Sequence, residues 1–395
     1  MNKNLYDICI IGAGIIGASI ARELSKFDIK VLILESNLGF GLETTSGNSG
    51  VIHGGFDPTP GKLNAKLNQL GKKRYQNDWF KEMDFKHEQI NSLVLAFNQE
   101  EEKHLDMLIQ RGISNGCTES EIYLISKEQV KAMEPKISDE VSKALLCNSS
   151  VVIDPAELTG VLLKNAKKNQ VDIIFNQKVI EITENETQYE IKTLKDVFYS
   201  QMIINCAGHF ADEISKLAGY ADFELSTKRG EYIVLKPSQN NKVNNVLFMV
   251  PSIHGKGVII APMLDGNLLV GPTAEDGVNK EATRLITDAK LNEIKQIGKK
   301  IMPNLDTEKI TLRFAGSRAI FKETDDFYIE YAKSNNKFIN VAGIKSPGIS
   351  AAPAIADYVI EMVKNVRPLN LKPDWDPYEK NILYNEGKLN DANSA

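Results

Sequence analysis

The chain is 395 residues long, enough to bury a large core and to form two domains. Its hydrophobic content of 42% and charged content of 25% are those of a soluble globular protein, and a net charge of −5 argues against nucleic acid as the main partner. No apolar run approaches the roughly 18 residues of a membrane span, so any membrane association is expected to be peripheral, at the inner face of the membrane. Four cysteines, Cys9, Cys117, Cys147 and Cys206, lack C-x-x-C spacing. They read as free thiols in a reducing, cytoplasmic compartment, and no metal site is expected. The N-terminus enters a strand at once, which leaves no expected leader peptide.

The first elements carry the clearest signal. Asp7 to Ile11 is a short apolar run suited to a buried parallel strand. Gly12-Ala13-Gly14-Ile15-Ile16-Gly17 follows, then an amphipathic helix through Ala21, Leu24 and Phe27. A second strand, Val31 to Leu34, ends at Glu35, 18 residues past Gly17. Gly12 permits the tight turn, Gly14 lets backbone N–H groups approach a diphosphate, and Gly17 lets helix and strand pack closely. The helix N-terminus faces the phosphates, and the acid can accept from ribose hydroxyls. Strand, turn, helix, strand and acid in order predict a dinucleotide site.

Residues 39–60 form a polar, glycine-rich stretch suited to close approach of a ligand. A helix with Leu63, Leu67 and Leu70 on one face is expected next. Ser92 to Phe97 reads as a strand and Glu100 to Gln110 as a helix closed by Gly112. Asp154-Pro155-Ala156-Glu157 reads as a helix start with a reciprocal acid. Short strands are expected at 172–175 and 179–182, and Met202 to Gly208 as a buried strand and turn before a helix at 211–218. Four β-rich runs between Tyr232 and Val270 predict an antiparallel sheet, hence a separate domain. After a helix at 288–301 come strands at 327–331 and 338–341, then a last helix at 348–363. Past Arg367 the tail turns polar, and its last dozen residues read as disordered.

Three features bear on chemistry. A second glycine turn, Gly343 to Gly348, suits either a plain helix entry or a helix N-terminus that stabilises a reduced flavin. His53 sits among small residues, as a base for alcohol oxidation or as a loop histidine satisfied by backbone. Lys256 and Arg318, flanked by small or apolar residues, each need an anion, which is either a protein carboxylate or an anionic substrate.

Residues Tyr6 to Glu35, Asn48 to His53, Asn205 to Asp212, Gly316-Ser317-Arg318 and Lys345 to Gly348 together resemble the D-amino-acid-oxidase-like FAD oxidoreductases. Within that family, Asp57-Pro58, Met249-Val250-Pro251, His254 to Gly257 and Val270 to Thr273 are similar to the short glycerol-3-phosphate oxidases of mollicutes. The resemblance implies an α/β fold, with a Rossmann-like FAD-binding domain assembled from 1–84, 145–222 and 325–370. A mixed, largely antiparallel β substrate domain would take 85–144 and 223–324, before a polar tail at 371–395. It implies non-covalent FAD on Gly12, Gly14, Ile16, Gly17 and Glu35, on Thr44, Thr45, Ser49, Gly50 and Val51, and with Val179 beside the adenine. It extends these contacts to Ala207, Gly208, Gly343, Ser346, Gly348 and Ser350. It also implies sn-glycerol 3-phosphate on Ser49, Lys256, Arg318, Lys345 and Ser346, with His53 as base and O2 as acceptor giving hydrogen peroxide. An oxidase of 2-hydroxy acids such as L-2-hydroxyglutarate shares part of the motif set and is the alternative. The oligomeric state is not set by these motifs.

Overall fold

The computed structural model describes residues 5–250 and 257–380. Strand β1 (Leu5–Ile11), helix α1 (Ile15–Leu24) and strand β2 (Val31–Leu34) form the expected opening unit. β1 pairs in parallel with β2 and with Val197–Asn205, which pairs in parallel with Asn335–Ala342. Asp172–Ile174 and Tyr328–Ala332 close the edges of this eight-stranded sheet, and a hairpin at 179–193 joins it through Val197–Asn205. Successive β1 residues face opposite sides, so Ile8 and Ile10 enter one apolar core while Cys9 and Ile11 enter another. Both faces being covered is what a parallel sheet requires and explains the continuous apolar runs.

The second sheet has ten strands. Leu225–Leu235 pairs antiparallel along its whole length with Ile310–Phe321. Neither strand was fully visible in the sequence, because Ala315-Gly316-Ser317 dilutes the β-branched signal of the second. His87–Ala96, Ile122–Ser126 and the long Lys143–Ile153 complete the far side, where the two-residue strand Val51–Ile52 also pairs. Strand 51–52 and most of 143–153, in segments expected to belong to the FAD-binding domain, therefore pair within the second sheet. All pairs in this sheet are antiparallel except His87–Ala96 with Val246–Met249.

Several local expectations are corrected. The helix Leu63–Arg74 buries Leu67, but Leu70 is 42% exposed. Its contact face is set by Gly71, where a Cβ would lie 2.0 Å from the Ser350 carbonyl of the last helix, Gly348–Lys364. The helix Gln99–Ser114 runs through Gly112, which packs on Phe56 and Ile122, while Gly116 takes the left-handed turn at φ +98°. Asp154 caps Pro155–Lys168 by accepting from Ala156 and Glu157 N–H, but Glu157 turns to the Lys86 N–H instead of reciprocating. Phe27 lies past the end of α1 yet stays buried.

The described part of the tail is packed against the first helix. Leu371 bridges Phe27, Trp375 donates its indole N–H to Ser25 Oγ at 3.1 Å, and the Pro377 carbonyl accepts from Arg22 at 3.1 Å. Residues 381–395, including the stretch read as disordered, lie outside the described residues. Among those described, no helix is long and apolar enough to cross a membrane.

Candidate active site

One cavity of about 690 Å³ runs from the β1–α1 turn to the edge of the second sheet. At its first end Gly12 adopts φ +110°, and a Cβ there would lie 2.5 Å from the Cys206 carbonyl. Only glycine permits both the backbone and the approach. Helix α1 has no side-chain cap of its own, so Thr45 supplies one across the cavity floor, its Oγ1 accepting from the Ile15 N–H at 3.0 Å. The Glu35 carboxylate is buried and accepts from the N–H groups of Ala13 at 2.7 Å and Asn37 at 2.8 Å. This fixes it at the strand end, on the cavity that Val179 also lines. Gly17 does not line the cavity. A Cβ on it would lie 2.0 Å from the Gly12 carbonyl, so it serves helix–strand contact.

The glycine-rich stretch is tied by Asn48. Its side chain donates to the Thr44 and Thr45 carbonyls at 3.1 and 2.5 Å and accepts from the Gly50 N–H at 2.8 Å. Thr44, Thr45, Ser49 and Val51 face the cavity, whereas Gly50 turns away at φ +65° against the Ile153 carbonyl. Gly47 crosses the backbone of Gly316 so closely that a Cβ on it would meet Gly316 Cα at 2.5 Å. That crossing stitches the first segment to the strand that carries Arg318.

His53 follows Val51–Ile52 and is clamped at its backbone. Its N–H donates to Ser350 Oγ at 2.8 Å, and the next carbonyl, of Gly54, accepts from Lys72 Nζ at 3.1 Å and Gln69 Nε2 at 3.3 Å. The imidazole Nε2 lies 3.3 Å from Ser346 Oγ, and the ring stands 6.0 Å from Phe248. Ser350 is buried against the His53 backbone, not on the cavity wall, and Gly343, at φ +65°, does not line the cavity either. Ala207, Gly208, Ser346 and Gly348 line the cavity, as do Gly12, Gly14 and Ile16.

Arg318 also lines the cavity, half-buried, and no carboxylate or hydrogen-bond acceptor partners its guanidinium among the described residues. Lys345 lines the cavity as well, with Asp325 at 2.5 Å from its Nζ. Burial pushes the Tyr232 phenol up, against the opposing pull of the Arg318 charge. Lys256 and His254 lie outside the described residues. Among those described, no cluster of three His, Cys, Asp or Glu could hold a metal, and all four cysteines are free and buried.

Sequence reasoning missed Tyr232, Phe248 and Ile259 as cavity walls, because their strands read as ordinary core. It also missed Gly47, whose role is visible only once its partner strand is placed. His209 is 1% exposed, lines the cavity, and has no hydrogen-bond partner on either ring nitrogen among the described residues; the buried Thr44 Oγ1 is likewise unpartnered among them.

A parallel sheet, a glycine turn at a helix N-terminus, an acid at the second strand and a long polar-lined cavity fit FAD. The family model of the DAO group, described as FAD dependent oxidoreductase, matches residues 7–362. The chain belongs to this family of FAD-dependent oxidoreductases. Among curated relatives of this FAD oxidoreductase, a glycerol 3-phosphate oxidase of Mycoplasma genitalium is 44% identical, over 94% of the chain and 97% of the relative. A glycerol 3-phosphate dehydrogenase of Caloramator mitchellensis is 40% identical, over 96% of the chain and 78% of that protein. The solved structure of dithionite-reduced L-alpha-glycerophosphate oxidase from Mycoplasma pneumoniae, with FAD bound, superposes with a TM-score of 0.93 at 41% identity, covering 95% of this chain and 98% of that one.

Proposed function

We propose that this flavoprotein oxidises sn-glycerol 3-phosphate to dihydroxyacetone phosphate with O2 reduced to hydrogen peroxide. The observation that carries the reading is Arg318, a cation without a carboxylate partner among the described residues, sharing one cavity with the His53–Ser346 pair. An anion belongs beside that guanidinium, and phosphate suits its fork. The similarity to glycerol 3-phosphate oxidases supports the same substrate.

The α1 N-terminus and Thr44, Thr45 and Glu35 hold the dinucleotide, with Ala207, Gly208 and Val179 as walls. FAD, when bound, supplies the two-electron acceptor for the C2 hydrogen of the substrate and, with O2, the peroxide-forming half of the reaction. Arg318 grips the phosphate, joined by Lys256 and the Lys345–Asp325 pair. Ser49 and Ser346 orient the glycerol hydroxyls. His53 Nε2 takes the C2 hydroxyl proton as the carbonyl forms, and the backbone clamp on His53 keeps the ring aimed. The unit that holds FAD is drawn from 1–84, 145–222 and 325–370, with the remainder to residue 324 forming the substrate side.

The test is anaerobic mixing of the yellow protein with glycerol 3-phosphate, then separately with L-2-hydroxyglutarate and with glycerol, while flavin absorbance is followed. Rapid bleaching by glycerol 3-phosphate alone, with peroxide released on admitting oxygen, is expected. Bleaching by the hydroxy acid instead would assign Arg318 to a carboxylate and overturn the reading.

A further inference from the structure

The segment 277–287 leaves the second sheet and is held in two different ways. Its base is tied to buried groups. The Gly277 N–H donates to the Thr227 carbonyl at 2.8 Å, and Thr227 Oγ1 donates to the Val278 carbonyl. Buried Arg229 donates to the Ala282 and Leu285 carbonyls at 3.4 and 3.1 Å. Buried Glu231 accepts from the Thr287 N–H at 2.7 Å and from its Oγ1 at 3.0 Å. The tip, around the short turn Lys280–Ala282, is held by long side chains instead. Lys280 Nζ pairs with Asp212 at 2.5 Å and Glu213 at 2.9 Å, on the helix Ala211–Leu217 that follows strand Val197–Asn205 of the first sheet. Arg284 donates to Ser46 Oγ at 3.2 Å and to the Glu43 carbonyl at 3.5 Å, in the glycine-rich stretch. Lys280, Glu281, Thr283 and Arg284 line the cavity, as do Glu43 and Glu213. Glu213, Glu281 and Arg284 are also exposed, which places them at its rim. Glu43 lies close enough to Glu35 for their charges to interact, so this rim belongs to the nucleotide end.

We infer that segment 277–287 is a strap over the nucleotide end of the cavity, latched by Lys280 to one wall and by Arg284 to the other, and that FAD enters and leaves when these latches open. The inference rests on the FAD reading, and it assigns the two cations to closure of the strap. A segment bonded to Asp212 and Glu213 on one side and to Glu43 and Ser46 on the other spans the opening between them. Bonds of half-exposed side chains break at far less cost than the buried bonds at the base. Gly277, at φ +69°, stands where the free part begins and suits a hinge. A latch that opens equally with and without cofactor changes the rates of entry and exit by one factor and leaves affinity unaltered.

The experiment measures both rates by flavin fluorescence: association on rapid mixing of apoprotein with FAD, and dissociation on diluting the holoprotein. Lys280→Met and Arg284→Met, which open the latches one at a time, are each expected to raise both rates roughly tenfold while Kd stays within about twofold. Lys280→Arg, which keeps the charge and its partners, is expected to exchange FAD nearly as slowly as the wild type. Unchanged rates in both methionine variants would overturn the strap. So would faster dissociation with unchanged association, which would make the cations ligands of the cofactor, or equal rates in Lys280→Arg and Lys280→Met. Failure of the wild-type apoprotein to bind FAD at all would instead overturn the reading beneath it.

Discussion

The two ends of the cavity are built differently. The nucleotide end is made mostly of backbone: a glycine turn, a helix N-terminus and strand ends from consecutive elements of one sheet. The proposed catalytic end is made of side chains brought from four distant places, His53, Arg318, Ser346 and the Phe248 wall, on one sheet and a helix entry. Backbone sites depend on fold integrity and are hard to tune by single side chains. Side-chain sites depend on positioning, and one substitution can remove the chemistry while leaving the fold intact.

The sharpest way to break this contrast is at the crossing that joins the ends. Gly316→Val would place a Cβ 2.1 Å from the Gly47 carbonyl, so it is expected to abolish both FAD retention and activity and to lower the thermal melting point sharply. Retained flavin in that variant would show that the two ends are independent. Next in size, His53→Ala should keep FAD but slow anaerobic flavin reduction by roughly 10²–10⁴-fold. Unchanged reduction would remove His53 from the base role. Arg318→Ala should raise KM for glycerol 3-phosphate by roughly 10- to 100-fold, with oxidation of uncharged glycerol little altered. Equal effects on both substrates would make Arg318 structural.

The smallest effect concerns pH. His209 is held neutral in the folded apoprotein down to about 4, whereas an unfolded histidine takes up its proton near 6.5. Between those values the unfolded chain binds the extra proton. Stability is therefore complete above 6.5 and falls as pH drops, by about 1.4 kcal/mol per pH unit for this one group. His209→Leu should flatten the decline in melting temperature of the apoprotein between pH 7 and 5. An identical decline in both proteins would mean that other groups govern it.

The nucleotide end was legible because its requirements are local. Gly12, Gly14 and Glu35 follow one another in a single strand–helix–strand unit, and each has a reason that spacing alone expresses. His53 and Arg318 stood out because their small neighbours leave a polar group without local company. What escaped notice depends on distant pairing. Gly47 matters through Gly316, Gly71 through Ser350, and Tyr232 and Phe248 through the face their strands present. Leu70 misled because helical spacing alone does not specify which face a neighbouring helix approaches when a glycine allows close contact. His209 carries no spacing signal of its own, and only the placed cavity shows that it lines the wall.

The placement of the final segments has a consequence for how the protein is made. β1 is translated well before its neighbour Val197–Asn205, the next strand Asn335–Ala342, the helix Gly348–Lys364 and the strap around Trp375. The apolar faces of β1 and α1 must therefore wait, uncovered, through most of synthesis. Nascent chains stalled before residue 335 should be captured by chaperones and bind no flavin, whereas release of the strap region should make the yellow colour appear in one cooperative step.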